Sequence, residues 1–193
     1  ASAGLGNIEL LDGAQVMAAA SKPVWTEGPL AGKYDHALRF NGSAYAPFNT
    51  DGINFGDKSD VSFSMSAWIK DIKVSTSRQV LFQSLGNKAG TAPRVSFSIS
   101  PAREVFFTTM GIADFNTGIK IPEGTDWHQI AVAYNAPAGI VYVYIDGQLA
   151  GTKAYTGGVN FAAQGTDLSG CLGRELGGAL PVTGTVDRVT VRK

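Results

Sequence analysis

Hydrophobic and polar residues alternate along most of this chain. In residues 61–70, VSFSMSAWIK, the odd-numbered positions are hydrophobic and the even-numbered positions are serines, Trp68 and Lys70. Successive side chains of a β-strand point to opposite faces, so this period of two predicts a strand with one buried face. The same pattern recurs at residues 94–100, 128–134, 140–145 and 184–191.

Turn-forming dipeptides separate the predicted strands. Asp146-Gly147 lies between two β-rich segments and predicts a tight hairpin, and Asn41-Gly42 predicts a second turn. Shorter strands are predicted at residues 8–11, 37–40, 79–84, 104–109 and 149–155, and a short helix at residues 13–20. Ten or more strands without alternating helices predict an all-β fold, a two-sheet antiparallel β-sandwich of the jelly-roll type.

Length and composition fit one globular domain over residues 1–193. The chain has 16 basic and 16 acidic residues and a formal net charge of zero, which argues against a nucleic-acid partner. It has no apolar run of the ~18 residues that a membrane span needs, so we expect no membrane insertion. Cys171 is the single cysteine and excludes an intrachain disulfide; we expect a small buried residue there.

Four segments, taken in order, resemble the laminin-G-like, or concanavalin A-like lectin/glucanase, family of bacterial secreted proteins. They are GKYDHALRFNG at 32–42, the strand at 61–70, WHQIAVAY at 127–134 with VYIDG at 143–147, and LGR at 172–174 with TGTVDRVT at 183–190. The resemblance implies the concanavalin A-like jelly roll. It also implies a secreted or cell-surface location, and a module that belongs to a larger glycan-active protein with further domains.

Catalytic patterns are missing from the sequence. Glycoside hydrolases need two carboxylates facing one cleft, and no two of the five glutamates share a predicted strand at i, i+4. A lyase would need clustered polar groups, but His128 and Gln129 are adjacent and are predicted to point to opposite faces. We therefore expect a non-catalytic, lectin-like carbohydrate-binding module rather than an enzyme. The alternatives are an adhesion or protein-binding domain of the same fold and, less favoured, a glycoside hydrolase or polysaccharide lyase.

A glycan partner would bind where aromatic rings lie on the polar side of a strand, because pyranose faces stack on rings and planar polar groups take the hydroxyls. Trp68, Tyr142 and Tyr144 occupy such positions, and Arg94 precedes Ser96 and Ser98 on a similar polar side. If these strands are neighbours, the four residues Trp68, Arg94, Tyr142 and Tyr144 form one carbohydrate-binding platform, with Arg94 as a hydrogen-bonding or carboxylate-binding group.

The resemblance also implies a structural calcium ion. The positions that match the family segments near such an ion are Asn41, Gly42 through its carbonyl, and Asp187. Oxygen ligands of this kind suit a hard cation. The alternative for these residues is structural: Asn41 would cap its own backbone turn and Asp187 would pair with Arg188.

Overall fold

The computed structural model describes residues 23–30, 36–49, 61–84, 95–109, 111–158, 169–175 and 177–192. These residues form strands and turns and include no helix, and none of them forms a helix able to cross a membrane. The strands are β1 (Val24–Glu27), β2 (His36–Asn41), β3 (Ala46–Asn49), β4 (Phe63–Lys70), β5 (Gln79–Ser84), β6 (Val95–Ile99), β7 (Glu104–Thr109), β8 (Ala113–Lys120), β9 (His128–Asn135), β10 (Ile140–Ile145), β11 (Gln148–Ala154), β12 (Ser169–Leu172) and β13 (Thr183–Arg192).

The strands form two antiparallel sheets. A seven-stranded sheet has the order β1-β2-β13-β4-β9-β10-β11, and a six-stranded sheet has the order β3-β12-β5-β6-β7-β8. The inner faces of both sheets supply one continuous hydrophobic cluster, which includes Met65, Ile130 and Val143 from the larger sheet and Phe97 and Phe107 from the smaller one. The predicted all-β, two-sheet sandwich is confirmed.

Two of the predicted turns connect strands that follow one another along the sequence. Asp146 and Gly147 have positive φ angles of 51° and 77° and join β10 to β11 as a two-residue hairpin. Gly42 has φ 87°, and Asn41 Oδ1 accepts hydrogen bonds from the N–H groups of Ser43 (2.9 Å) and Ala44 (2.8 Å). Both dipeptides therefore act through the left-handed conformation that Asn, Asp and Gly tolerate.

Strand β8 is one that the sequence pattern did not predict. Its segment ADFNTGIK contains Asn116 and Gly118, which read as turn residues, and Gly118 has φ 68° beside an irregular register with β7. Thr117 is buried, and its hydroxyl is satisfied by donating to the Val105 carbonyl at 2.7 Å. The predicted strand at residues 8–11 and helix at residues 13–20 lie outside the described residues.

Candidate functional site

The outer face of the seven-stranded sheet carries the aromatic residues that the alternation pattern selected. Buried and half-buried residues alternate without exception along β4, so Trp68 lies outward together with Ser64 and Ser66. Along β10, Tyr142 and Tyr144 are half-buried while Val141 and Val143 between them are fully buried. The predicted outward placement of the three aromatic residues is confirmed.

Strand register brings these residues to one surface. Ser66 lies opposite Ala131, which lies opposite Tyr144; one step along, Ser64 lies opposite Ala133, which lies opposite Tyr142. Small side chains on β4 and β9 thus form a low floor with tyrosine rings along one side. We call this surface the aromatic groove: its floor is Ser64, Ser66, Ala131 and Ala133, and its aromatic residues are Trp68, Tyr142 and Tyr144.

Strand β13 forms the opposite side of the groove. Thr190 and Arg192 lie opposite Ser66 and Ser64, and the Thr190 and Ser66 hydroxyls are 2.6 Å apart. Two strands, β4 and β9, separate β13 from β10, so the sides stand about 14 Å apart between backbones. That width leaves the floor open to a ligand that lies along the strands.

A cavity of about 1120 Å³ includes the aromatic groove. Trp68 and Tyr144 line it together with the four floor residues, but core-facing Leu38, Phe40 and Leu172 line it too. Residues of opposite faces cannot border a single trough in one sheet. Only part of this volume therefore lies over the groove.

The Trp68 end of the groove holds polar and aromatic groups that the sequence argument did not assign to the site. Gln129 lies opposite Trp68 and lines the cavity. Lys70 is on the same side of β4 as Trp68, and its Nζ is 5.9 Å from the centroid of the Trp127 ring. Trp127 is half-buried beside Lys70. The contact between Trp127 and Lys70 joins residues far apart in the sequence, so it could be found only from the structure.

The aromatic groove holds three of the four residues of the predicted platform, Trp68, Tyr142 and Tyr144. Arg94 lies outside the described residues. Ser96 and Ser98, which shared its side in the sequence pattern, belong to β6 of the six-stranded sheet and are 1% and 0% exposed. The condition for a single platform, that β6 neighbours β4 and β10, is not met for these serines, because alternation identifies the face of a strand but not the sheet to which it belongs.

Asp187 is the one carboxylate among the described residues that line the cavity. It lies opposite Trp68, where β13 bulges: two residues, Arg188 and Val189, face the single residue Ala67. Asp187 accepts a hydrogen bond from the Arg188 N–H (2.7 Å), and its Oδ2 is 3.4 Å from Arg188 Nε. The carboxylate is thus engaged by its neighbour, as the structural alternative expected.

A second acid, Asp146, lies in the β10–β11 turn. Its Oδ2 is 2.8 Å from His128 Nδ1 and its Oδ1 accepts from the Gln129 N–H at 2.8 Å. Both oxygens therefore hold the hairpin against β9. Asp146 and Asp187 are thus each held by hydrogen bonds or an ion pair within the described part of the chain.

The three residues expected around a calcium ion do not fit one site. Asn41 lies opposite Thr183, four residues before Asp187 on β13, which separates Asn41 from Asp187 by about 13 Å along the strand. The Asn41 side-chain oxygen already accepts two backbone hydrogen bonds. The described residues hold no group of three or more His, Cys, Asp and Glu side chains suited to a metal. Calcium binding stays a prediction from the resemblance alone.

Structures of similar fold include carbohydrate-binding domains and enzymes. Domain 4 of AbnA, an extracellular arabinanase of Geobacillus stearothermophilus solved with arabinotriose, is 21% identical, with a TM-score of 0.55 over 90% of this chain and 76% of that chain. The CBM40 of a Ruminococcus gnavus IT-sialidase, bound to alpha2,3 sialyllactose, is 13% identical, with a TM-score of 0.56 over 89% of each chain.

A Trypanosoma rangeli sialidase is 19% identical, with a TM-score of 0.54, and this chain covers 26% of its length. A search of curated protein sequences found no match. The family model for the concanavalin A-like lectin/glucanases superfamily, Laminin_G_3, matches residues 40–193, most of the chain. With its two-sheet sandwich, the chain therefore belongs to this laminin-G-like, concanavalin A-like superfamily.

Proposed function

We propose that this protein is a non-catalytic carbohydrate-binding module and that the aromatic groove is its glycan site. The observation that carries the proposal is the arrangement of Trp68, Tyr142 and Tyr144 around a floor of serines and alanines on one open sheet face. The similar carbohydrate-bound domains of the arabinanase and the IT-sialidase support a glycan as partner.

The chemistry of the groove suits a sugar chain. Rings that keep part of their surface in water can stack on the apolar face of a pyranose. The Gln129 amide lies opposite Trp68 and the Ser64 hydroxyl belongs to the floor, so both can exchange hydrogen bonds with sugar hydroxyls. A shallow groove with small floor residues would admit the side of a chain without requiring a free chain end.

The absence of catalysis is part of the proposal. Retaining and inverting glycosidases need two carboxyl groups about 5–9.5 Å apart across the bond that is cleaved. Among the described lining residues there is one, Asp187, and Arg188 engages it. A polysaccharide incubated with the protein should therefore be bound without any release of reducing ends.

The proposed setting is a larger secreted or cell-surface protein that acts on glycans. In such a protein the module would hold the substrate while another domain performs the chemistry. The similar arabinanase domain is described as part of an extracellular enzyme, which supports this setting.

Mutation of the groove tests the site. We expect Trp68→Ala and Tyr144→Ala each to weaken binding in a glycan array or a polysaccharide pulldown by about tenfold or more, the loss expected for a stacked ring. Phe106→Ala is the matched control, because Phe106 is a half-buried aromatic residue on the outer face of the six-stranded sheet. Unchanged binding by folded Trp68→Ala would reject the groove as the site.

A protein-binding function is the second candidate. It is favoured by the exposed hydrophobic residues of edge strand β1, where Val24 is 65% and Trp25 54% exposed. This candidate replaces the first if neither neutral nor acidic glycans bind, and if the wild type captures a protein that the double variant Val24→Ser/Trp25→Ser does not capture.

A further inference from the structure

Charges are distributed unevenly over the two sheets of this neutral chain. On the six-stranded sheet, Arg78 is matched by carboxylates: its guanidinium is 2.8 Å from Asp114 Oδ1 and 3.4 Å from Glu175 Oε1. The Glu104 carboxylate on the same face accepts from the Asn116 amide at 2.6 Å. The Arg78 charge is thus neutralised by neighbouring acids on this side.

The groove face carries cations without matching acids. Lys70 lies opposite Thr185, which lies opposite Arg39, and Arg192 lies opposite Ser64. Arg39 and Arg192 are exposed and Lys70 is half-buried. Within the described ranges, none of these three cations has a carboxylate within ion-pair distance. The nearby Asp187 is occupied by Arg188. The groove face therefore offers three cations that can pair with an anionic ligand.

We infer that the groove recognises an acidic polysaccharide with carboxylates repeated along the chain. The inference rests on the proposed glycan site and defines its substrate class. Trp68 and Lys70 are two residues apart on one side of β4, so a sugar ring stacked on Trp68 would place its carboxylate within reach of the lysine ammonium.

The spacing of the cations favours a repeating polyanion over a single terminal acid. Lys70 and Ser64, the residue opposite Arg192, stand six residues apart on β4, or about 20 Å. Arg39 lies two strands from Lys70, about 10 Å across the sheet. One acidic sugar could contact one of these cations, whereas a chain lying along the floor could meet Lys70 and Arg192 at once.

The Trp127 ring positions the lysine without neutralising it. The Lys70 ammonium lies 5.9 Å from the ring centroid, a cation–π distance that restricts the flexible side chain. An aromatic ring accepts none of the three N–H donors in the way a carboxylate does, so they stay available for an anion.

The test compares two polymers that share a backbone. Binding of the full chain to polygalacturonate and to the same polymer with its carboxyl groups reduced to alcohols would be measured by affinity electrophoresis. We expect tighter binding to the acidic polymer. Lys70→Gln and Arg192→Gln should each weaken that binding about three- to fivefold, the range for an exposed ion pair, and leave the reduced polymer unaffected. Lys120→Gln, a cation on the six-stranded sheet, is the control.

The outcomes separate the two proposals. Equal binding to both polymers, with loss in Trp68→Ala, would overturn the acidic preference and keep the glycan site. Dextran sulfate is a further competitor. If it competes as well as polygalacturonate does, and if Lys120→Gln weakens binding as much as Lys70→Gln does, the protein binds any polyanion nonspecifically and the inference fails. No binding to any glycan, acidic or neutral, would remove both proposals.

Discussion

Gly173, which follows β12, is a position where a single methyl group should destabilise the fold. Its φ is +86°, and a Cβ there would lie well under 3.0 Å from Cδ1 and Cε1 of Phe40. Phe40 is 1% exposed and belongs to the core cluster, so a methyl group at Gly173 must displace a buried ring. The backbone is held as well: the Gly173 N–H donates to the Leu81 carbonyl (3.1 Å), and its carbonyl accepts from the Val182 N–H (2.8 Å).

The expected cost of Gly173→Ala has two parts. A residue with a Cβ in the left-handed region loses about 1–2 kcal/mol, and overpacking of a filled core costs about 1–3 kcal/mol. Together they give about 2–5 kcal/mol, a large fraction of the 5–15 kcal/mol by which domains are typically stable.

Guanidinium denaturation followed by tryptophan fluorescence would measure this loss. Gly111→Ala separates the two parts, because Gly111 has φ +76° but no atom within 4 Å of the position that a Cβ would take, so this variant reports backbone strain alone. Gly177→Ala, with neither a positive φ nor a close neighbour, should change the free energy of unfolding by less than about 0.5 kcal/mol. If Gly173→Ala costs no more than Gly111→Ala, the contact with Phe40 is not what requires glycine.

Three further predictions concern groups outside the groove. Burial alone would raise the pKa of Asp114, but hydrogen bonds from Thr108 and Arg78 and the charge of Arg78 bring it below 3.8; its stabilising contribution is thus present above the unfolded pKa and lost as the pH falls through the folded one. Arg78→Met should raise this pKa in an NMR titration. The free energy of unfolding of the variant should then fall less as the pH is lowered, and an unchanged pKa would contradict the role of Arg78. Burial raises the pKa of the Cys171 thiol to about 12, with Arg174 opposing the shift, so Ellman's reagent at pH 8 should react only after denaturant is added; rapid reaction of the native protein would show that the thiol is accessible. Asn41→Ala removes the acceptor of two backbone N–H groups and should lower the free energy of unfolding by about 1 kcal/mol. The loss should be the same in chelator and in calcium, and a loss seen only in calcium would indicate a calcium ion at this turn.

The sequence was sufficient for the outward faces of β4 and β10. Period-two alternation follows from strand geometry and core burial, so Trp68, Tyr142 and Tyr144 could be selected before any coordinates. The groove itself could not be derived in this way. Ala131 and Ala133 become its floor because β9 lies between β4 and β10, and strand order depends on contacts between segments some 60 residues apart.

Other expectations differed from the structure for physical reasons. Ser96 and Ser98 alternate as Ser64 and Ser66 do, yet they lie in the opposite sheet and are buried. A local pattern carries no information about which sheet a strand joins. The Asn41 side-chain oxygen accepts two backbone hydrogen bonds of its own turn, and calcium binding there stays a prediction.

Strand β13 has a consequence for how the protein is made. It is the last of the described strands along the sequence, yet it separates β2 from β4 within its sheet and supplies one side of the groove. During synthesis, both of these earlier strands have an unpaired edge until residues 183–192 leave the ribosome, and open edges promote aggregation. Rapid translation of residues 183–192, or a chaperone that covers the two edges, would therefore favour folding over aggregation.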